Sequence, residues 1–420
     1  MKFIADFHVH SAFSRATSRD MHLRTMAHWA RLKGIQLLGT GDFTHPTYFE
    51  EIKNDLEETG QGLLFLKDGA SSNHFILTAE TSHIYTQAGK GRRVHMMIFA
   101  PHLKAAEKIN LGLDRVGNIR SDGRPIFGFS AKDLVKMVLD IEPECLLVPA
   151  HAWTPWFSVF GSHSGFDNLE ECFEEETANI SAIETGLSSD PSMNWRWSAL
   201  DRICLISNSD AHSPAKIGRE ANIFDCELSY PAIIQTIKDK DPRAFLATIE
   251  FFPEEGKYHF DGHRSCGICY APAQTREKNY LCPVCGKPLV VGVMHRVEEL
   301  ADRPEGYVPA KAIPALRTVP LEEIIADALG VGPNASSVEK EYLRMVEKGG
   351  SEFDILLELS PEELSSFTPP LILEGILRVR EGRLKITPGH DGVFGRIEIF
   401  SPGEREKEAI KEEPKQMGLF

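Results

Sequence analysis

The sequence predicts an α/β protein with a small metal-binding module and a helical C-terminal region. Three observations support this. From residue 2 to about 245, short apolar runs alternate with amphipathic stretches; a C-x2-C-x12-C-x2-C motif follows; and from about 312 apolar residues recur at helical spacing. Nearly continuous apolar strands between helices are typical of a buried parallel sheet. The chain has 420 residues, enough for two or three domains.

The first region holds seven candidate strands. They lie at 2–7, 35–41, 74–80, 94–100, 145–150, 181–185 and 203–209. Seven strands that alternate with helices indicate a barrel related to the TIM type. In such a barrel the C-terminal ends of the strands meet at one face, where an active site forms.

Histidines and carboxylates stand at the ends of these strands. The candidate metal ligands are His8, His10, Asp42, Glu80, His151, Asp210 and His212, together with His95, which opens its strand. An H-x-H strand directs both imidazoles to one side. Because so many buried polar groups need a metal or a partner, we expect two or three divalent ions, with Glu80 as a bridge. Such clusters activate water for phosphoryl transfer, so no further catalytic side chain is required.

This ligand pattern resembles the PHP (polymerase and histidinol phosphatase) family. The resemblance covers about residues 1–245 and implies a distorted seven-stranded barrel that hydrolyses phosphoesters at a multinuclear centre of Zn²⁺, with Mg²⁺ or Mn²⁺ possible for activity. It also implies that His8, His10, Glu80 and Asp210 hold one ion. His95, His151 and Glu80 would hold a second, with Asp42 and His212 completing the centre. Asp42 stands where the family often has a histidine.

Cys266, Cys269, Cys282 and Cys285 form the C-x2-C-x12-C-x2-C motif. Two such turns provide four thiolates for a structural Zn²⁺ ion, and two disulfides are the alternative. We therefore expect a four-cysteine zinc module at 246–300, after the barrel at 1–245. A mainly helical domain at 301–400 and a flexible tail at 401–420 would follow, although the runs 371–380 and 393–400 could be strands.

Over the whole chain, the barrel, cysteine motif, helical region and C-terminal QMGLF resemble the endonuclease Q family of PHP-type DNA-repair enzymes. The resemblance implies hydrolysis of the phosphodiester 5′ of uracil, hypoxanthine, xanthine or an abasic site in double- or single-stranded DNA. A phosphatase acting on a small phosphoester is the alternative within the PHP family. A non-catalytic DNA or clamp adaptor is a further alternative.

The net charge of −15 argues against a nucleic-acid binder, but residues 257–296 hold six basic and two acidic residues. We expect this segment, the loop 118–125 and the loop after the fifth strand to contact DNA. The predicted DNA-binding residues are Arg120, Arg124, Trp153, Trp156, Phe157, Arg264, Arg276 and Lys278. The aromatic residues could stack on an extruded base, or they could pack into a folded lid with a small core.

The C-terminus resembles a shortened PCNA-interacting peptide. Gln416 would enter the glutamine pocket of the sliding clamp, with Leu419 and Phe420 as apolar anchors. No apolar run approaches the length that spans a bilayer, and the first residues are unlike a signal peptide, so we expect a cytoplasmic protein without a membrane partner.

Overall fold

The computed structural model describes residues 1–401 and 403–405. The predicted clamp peptide with Gln416, Leu419 and Phe420 lies outside these residues. The chain forms two compact units, one of residues 1–316 and 388–395, the other of 317–387 and the residues from 396. The first unit thus includes the cysteine segment 246–300 together with residues 1–245. Among the described residues, no helix has the length and apolar character needed to cross a membrane.

The first unit is a mixture of strands and helices, which confirms the α/β class. Its strands are β1 (Lys2–Asp6), β2 (Leu37–Gly39), β3 (Leu56–Glu58), β4 (Leu64–Leu66), β5 (His74–Gln87), β6 (Lys90–Ala100), β7 (Ile126–Phe127), β8 (Leu146–Pro149), β9 (Ala182–Glu184), β10 (Cys204–Ile206), β11 (Ala221–Asp225), β12 (Phe245–Glu250), β13 (Asp261–His263), β14 (Ile268–Tyr270) and β15 (Ala315–Arg317). Its helices are α1 (Leu23–Lys33), α2 (Pro46–Asp55), α3 (Leu103–Val116), α4 (Ala131–Ile141), α5 (Leu169–Phe173), α6 (Pro191–Asn194), α7 (Tyr230–Asp239), α8 (Pro272–Glu277) and α9 (Val293–Leu300).

The main sheet has the strand order β15-β12-β11-β1-β2-β5-β4-β3, with β6 and β7 paired to β5 and β8 paired to β6. Strand β1 pairs with β2 in parallel and with β11 antiparallel. Strands β9 and β10 form a separate parallel pair. Hydrogen bonding among the described strands therefore gives one large mixed sheet and three two-stranded sheets, β9–β10, β13–β14 and the pair of β16 (Lys385–Thr387) with β17 (Arg396–Glu398). A closed seven-stranded barrel remains a prediction.

Aromatic side chains fill the core beneath this sheet. Phe7 packs edge-on against Phe99 at 5.4 Å between ring centroids, and Phe224 stacks on Phe3 at 5.6 Å. All four side chains are buried. Burying an aromatic residue of this size contributes about 1.5–3 kcal/mol, so this cluster holds β1 and its neighbours in place.

Strands β5 and β6 are longer than the sequence predicts and form an antiparallel hairpin. The apolar runs end at 80 and begin at 94, but the ladder continues through the polar residues out to Gln87 and Lys90. Glu80 and His95 therefore lie inside strands rather than at their ends. The apolar runs in the sequence correspond only to the part of the hairpin in which nearly all side chains are buried.

The second unit is mainly helical. Its described elements are α10 (Leu321–Leu329), α11 (Ser336–Gly349), α12 (Pro361–Ser365), α13 (Pro370–Arg380), a π-helical turn (Asp354–Glu358), and the hairpin strands β16 (Lys385–Thr387) and β17 (Arg396–Glu398). The expectation of a strand at 371–380 was wrong, because this run forms α13. Buried Ile372, Ile376 and Val379 lie on one side of that helix, at helical spacing.

A buried pair of carboxyl groups lies where β11 begins and β12 ends. The register that pairs Ala221 with Ile249 sets Glu220 beside Glu250, and both side chains are fully buried. Glu250 Oε2 accepts a hydrogen bond from Thr185 Oγ1 at 3.3 Å. Burial raises the pKa of Glu250 to about 8, and burial together with the charge of Glu250 raises the pKa of Glu220 well above its ordinary range.

The pH dependence of stability follows from this shift. Between the ordinary value of 4.5 and about 8, the folded chain holds a proton at Glu250 that the unfolded chain releases. The free energy of unfolding should therefore fall as pH rises through this window, by at most about 1.4 kcal/mol per pH unit for one proton. Glu250→Gln, which stays neutral, should flatten this fall in pH-dependent denaturant titrations. Glu57→Gln at an exposed site is the control, and an unchanged slope in Glu250→Gln would contradict the prediction.

Candidate metal centre

The HVH segment after β1 and the SDAH segment after β10 lie side by side. A parallel bridge joins Val9 to Ala211, and His10 N donates to the carbonyl of Ala211 at 3.0 Å. Since His8 and His10 flank Val9, both imidazoles point to the side on which Asp210 lies. The backbone pairing thus assembles the first group of ligands.

His8, His10 and Asp210 could hold one metal ion, because their ligand atoms lie within 4.8 Å of one another. Asp210 Oδ1 lies 3.1 Å from His10 Nε2 and 3.7 Å from His8 Nε2. All three atoms are buried without a hydrogen-bond partner. Three orphaned polar atoms around one point are costly unless a cation satisfies them, so the donor set fits a divalent ion.

Glu80, His95 and His151 form a second group with the same spacing. The β5–β6 register pairs Ser82 with His95, which places His95 diagonally opposite Glu80 on one face of the hairpin. Glu80 Oε1 lies 2.7 Å from His95 Nδ1 and 3.0 Å from His151 Nε2. A carboxylate and two imidazoles are a ligand set typical of Zn²⁺, Mn²⁺ or Fe²⁺.

Glu80 connects the two groups. Its other oxygen, Oε2, lies 3.3 Å from His10 Nε2 and 3.6 Å from His8 Nε2. Arg124 Nη1 donates to the same oxygen at 3.0 Å. One carboxylate therefore faces both groups of histidines, as a bridging ligand would.

Carboxylates behind the histidines fix their orientation. His8 Nδ1 lies 3.0 Å from Glu184 Oε1, and His10 Nδ1 lies 3.0 Å from Asp42 Oδ1. A carboxylate only accepts hydrogen bonds, so each Nδ1 carries the proton and each Nε2 presents its lone pair to the centre. Glu184 Oε2 also accepts from His151 N at 2.8 Å.

Two predicted ligands lie outside these groups. Asp42 contacts His10 from behind, and its Oδ2 accepts hydrogen bonds from Ser11 N (2.6 Å), Ser11 Oγ (2.7 Å) and Ser14 Oγ (2.8 Å). His212 packs on the ring of His10 at 4.5 Å, and its Nδ1 lies 2.9 Å from the carbonyl of Asp210. Both oxygens of Asp42 are thus already hydrogen-bonded in this structure, and His212 flanks the first group.

Three residues of the centre have left-handed backbone conformations. The φ angles are +43° at Asp42, +34° at His151 and +46° at Asp210. Such conformations cost of the order of 1–3 kcal/mol for residues other than glycine, and they cluster at functional sites. The surrounding hydrogen bonds hold these side chains where an unstrained turn would not place them.

The charges of the centre favour a cation. Although burial opposes the shift, the carboxylates of Glu184, Asp210 and Glu80 raise the pKa of His8 well above its ordinary range. Burial in turn would raise the pKa of Asp210, but the neighbouring histidines hold it well below its ordinary range. The centre thus attracts positive charge, and a divalent ion provides it without protons.

The chain is similar to known proteins over nearly its full length. A family profile described as the MJ0043 C-terminal domain matches residues 320–383. The chain is 30% identical over 410 residues to the uncharacterized protein YqxK of Bacillus subtilis, covering 94% of this chain and 99% of that protein. Its structure is similar to that of the lesion-specific endonuclease PfuEndoQ from Pyrococcus furiosus, with a TM-score of 0.85 and 31% identity over 98% of both chains.

The chain belongs to the endonuclease Q family. It also resembles an endonuclease Q solved in complex with a 27-mer duplex that carries an abasic lesion at the active site. The TM-score is 0.84 and the identity 32%, over 96% of this chain and 98% of that one. The prediction that the chain is an enzyme, an endonuclease, is confirmed by this membership.

In this member of the endonuclease Q family, the aromatic residues predicted to contact DNA differ in burial, since some lie in the core and others at the surface. Trp153 is 1% exposed, packs on Phe160 and donates from Nε1 to Asn194 Oδ1 at 2.7 Å. In this structure Trp153 packs as the folded-lid alternative describes, and its contact with DNA stays a prediction. Phe157 lies against the ring of His95 at 4.9 Å, and Trp156 is 37% exposed.

The basic residues predicted to contact DNA also differ in their exposure and in the ion pairs that they form. Arg124 is largely enclosed and bonded to Glu80, so it faces the metal centre. Arg120 is exposed and pairs with Asp114, and Arg276 pairs with Glu298 at 2.6 Å. Arg264 and Lys278 are exposed on the cysteine segment.

The cysteine segment contains a third candidate metal group, with one change from the expected ligands. Cys266, Cys282 and Cys285 lie together with His263, whereas Cys269 lies apart from them. Cys269 stands opposite Gly262 in the β13–β14 pair, and its sulfur lies 3.8 Å from the carbonyl of Pro388. The strand alternation directs Cys269 to the other side.

The two ligand turns have the same construction. His263 and Cys266 are followed by Gly267 with φ +65°, and Cys282 and Cys285 are followed by Gly286 with φ +70°. Both turns thus have the pattern ligand-x-x-Cys-Gly, in which the left-handed position favours glycine. Although burial opposes it, the backbone N–H groups of Cys285 and Val284 lower the pKa of the Cys282 thiol, which favours a metal-binding thiolate.

Substitution of His263 or of Cys269 should show whether the zinc site consists of His263 with three cysteines or of four cysteines. We expect His263→Ala to lose bound zinc and lower the melting temperature, and Cys269→Ser to retain the metal, because only His263 faces the three sulfurs. Metal content after dialysis, measured by mass spectrometry, together with thermal unfolding checks this. If His263→Ala retained zinc and Cys269→Ser lost it, the site would consist of the four cysteines.

Removing the charge of Glu184 should weaken the metal centre. Glu184→Gln replaces one acceptor oxygen by a donor, so the hydrogen bonds to His8, His151 and Asn208 cannot all persist. We expect binding of Mn²⁺ to weaken by about 10–100-fold, measured by calorimetric titration, with the exposed Glu339→Gln as control. Wild-type affinity in Glu184→Gln would show that the carboxylate does not orient His8.

Proposed function

We propose that this protein is a DNA-repair endonuclease that hydrolyses the phosphodiester 5′ of uracil, hypoxanthine, xanthine or an abasic site. The two ligand groups joined by Glu80 carry this proposal. Neighbouring divalent ions are suited to phosphodiester hydrolysis, because they bind the attacking and the leaving oxygen of one phosphate. Family membership and the abasic duplex bound by a relative support DNA as the substrate.

The side chains divide the work at the centre. When bound, two or three ions of Zn²⁺, Mg²⁺ or Mn²⁺ would activate water and neutralise charge on the phosphate. His8, His10 and Asp210 would hold one ion and Glu80, His95 and His151 another, while Asp42 and Glu184 keep the proton on Nδ1 of the ligands behind which they lie. The architecture we propose is that of a PHP-type barrel.

Side chains around the centre would position the DNA. Arg124 is the cation bonded to Glu80, so its guanidinium is within reach of a phosphate oxygen that approaches the centre. Phe157 contacts the ring of His95, where it would limit the access of water. Arg264 and Lys278, exposed on the cysteine segment, are suited to the phosphate backbone of either double- or single-stranded DNA.

The structural metal would be zinc, held by the cysteine segment. Closed sites of four protein ligands with cysteine and histidine are typical of structural Zn²⁺. We also propose, from the sequence of residues 416–420, that the C-terminus binds the PCNA sliding clamp. The enzyme would act in the cytoplasm on chromosomal DNA.

A nicking assay tests the proposed activity. End-labelled duplexes carrying uracil, hypoxanthine, an abasic site or no lesion are incubated with Mg²⁺, Mn²⁺ or Zn²⁺. We expect a nick 5′ of the lesion, with a 3′-hydroxyl that a polymerase extends. His10→Ala should reduce nicking by at least about a hundredfold, since it removes a ligand of the centre.

The exposed His28→Ala on α1 is the matched control and should nick at the wild-type rate. Hydrolysis of p-nitrophenyl phosphate or free nucleotides without nicking would identify a phosphatase instead. Lesion binding without nicking, unchanged in His10→Ala, would identify an adaptor. Either result would contradict the proposed endonuclease.

A further inference from the structure

The loop 388–395, between β16 and β17, is held rigidly against residues 254–260 of the first unit. Gly389 N donates to Glu254 O at 2.8 Å, Gly392 N to Lys257 O at 3.0 Å and Gly395 N to Glu255 O at 3.0 Å. At Gly395, an added Cβ would lie 2.0 Å from Glu254 O, so the backbones could not approach this closely with another residue. The loop is therefore a fixed part of the surface.

The tip of this loop is a tight turn that presents apolar side chains. Asp391 and Gly392 have φ angles of +42° and +82°, and His390 and Val393 bond to each other across them. This is the geometry of an Asp-Gly hairpin turn, which is conformationally restricted. Phe394 follows it and is 69% exposed, the largest value for a large apolar side chain within the described ranges.

Positive side chains lie next to this exposed ring. Lys257 Nζ is 4.4 Å from the centroid of Phe394. Arg264 is exposed, and its backbone N–H donates to Asp391 Oδ2 at 2.7 Å, which ties it to the same turn. A rigid aromatic ring with cations beside it is suited to nucleic acid, because bases stack on the ring while phosphates approach the cations.

Aromatic residues link the turn to the metal centre, partly through ring contacts and partly as neighbours in the chain. The ring of Tyr258 lies 5.4 Å from that of Trp156, and its hydroxyl approaches Gly392. The next residue, Phe157, lies 4.9 Å from His95 of the centre. The turn that carries Phe394 is therefore connected to His95 through Tyr258, Trp156 and Phe157.

From these observations we infer that Phe394 inserts into the duplex and fills the space left when the damaged nucleotide is withdrawn toward the metal centre. The inference deepens the proposed endonuclease function and rests on it. Apolar side chains that enter base steps stabilise a distorted duplex by replacing the lost stacking. A fixed turn is suited to this, because the ring does not have to be ordered on binding.

Comparison of duplex with single-stranded DNA tests the role of Phe394. Phe394→Ala should slow single-turnover nicking of a uracil-containing duplex by about tenfold, the loss of one aromatic–base stack. Nicking of the same lesion in single-stranded DNA should be unchanged, since no opposite strand leaves a gap there. Phe394→Trp should restore duplex nicking, and Leu111→Ala, at an exposed apolar site on α3, is the control.

The fluorescence of a base analogue in the DNA reports the insertion of Phe394 directly. With 2-aminopurine opposite the lesion, wild-type protein should change its fluorescence before nicking, and Phe394→Ala should not. Equal losses on duplex and single strand, or wild-type duplex nicking in Phe394→Ala, would overturn this inference alone. A wild-type chain that nicks neither substrate would instead overturn the proposed function, and the inference with it.

Discussion

The carboxylate of Glu184 is the interaction on which the metal centre depends. It is completely buried, and it joins three segments by accepting from His8 Nδ1, His151 N and Asn208 Nδ2. Without these donors a buried carboxylate would be strongly destabilising. The same bonds that compensate its burial orient the first histidine and hold the strained backbone at His151. Stability and ligand geometry are thus set by one group.

Much of the site could be predicted from the sequence because strand geometry places its residues. Alternation along a strand is sufficient to place His8 and His10 on one side, and strand ends place His151 and Asp210 near them. The contacts of Asp42 and His212 could not be predicted in this way. Whether a carboxylate faces the ions or supports a ligand depends on hydrogen bonds from Ser11 and Ser14, and such bonds leave no periodic signal.

Two further differences have local physical causes. The spacing of the cysteines alone does not reveal His263 as a candidate zinc ligand. The repeated pattern x-x-Cys-Gly, at His263–Gly267 and Cys282–Gly286, indicates which residues share a turn type. In the run 371–380, apolar residues are frequent enough to suggest a strand, but their helical spacing and Pro370 in its first turn favour a helix. In both cases the residue types indicated a zinc site or a regular element, and the spacing of the residues indicated which ligands or which element.

The loop 388–395 has a consequence for the synthesis of the protein. It belongs to the first compact unit, yet the 71 residues from 317 to 387 separate it from the rest of that unit. The backbone carbonyls at 254–257 can therefore accept their hydrogen bonds only after the glycines of this loop have been synthesised, much later in translation. The catalytic unit can be completed only after most of the chain has been translated, and a messenger shortened at the first unit boundary would encode an incomplete enzyme.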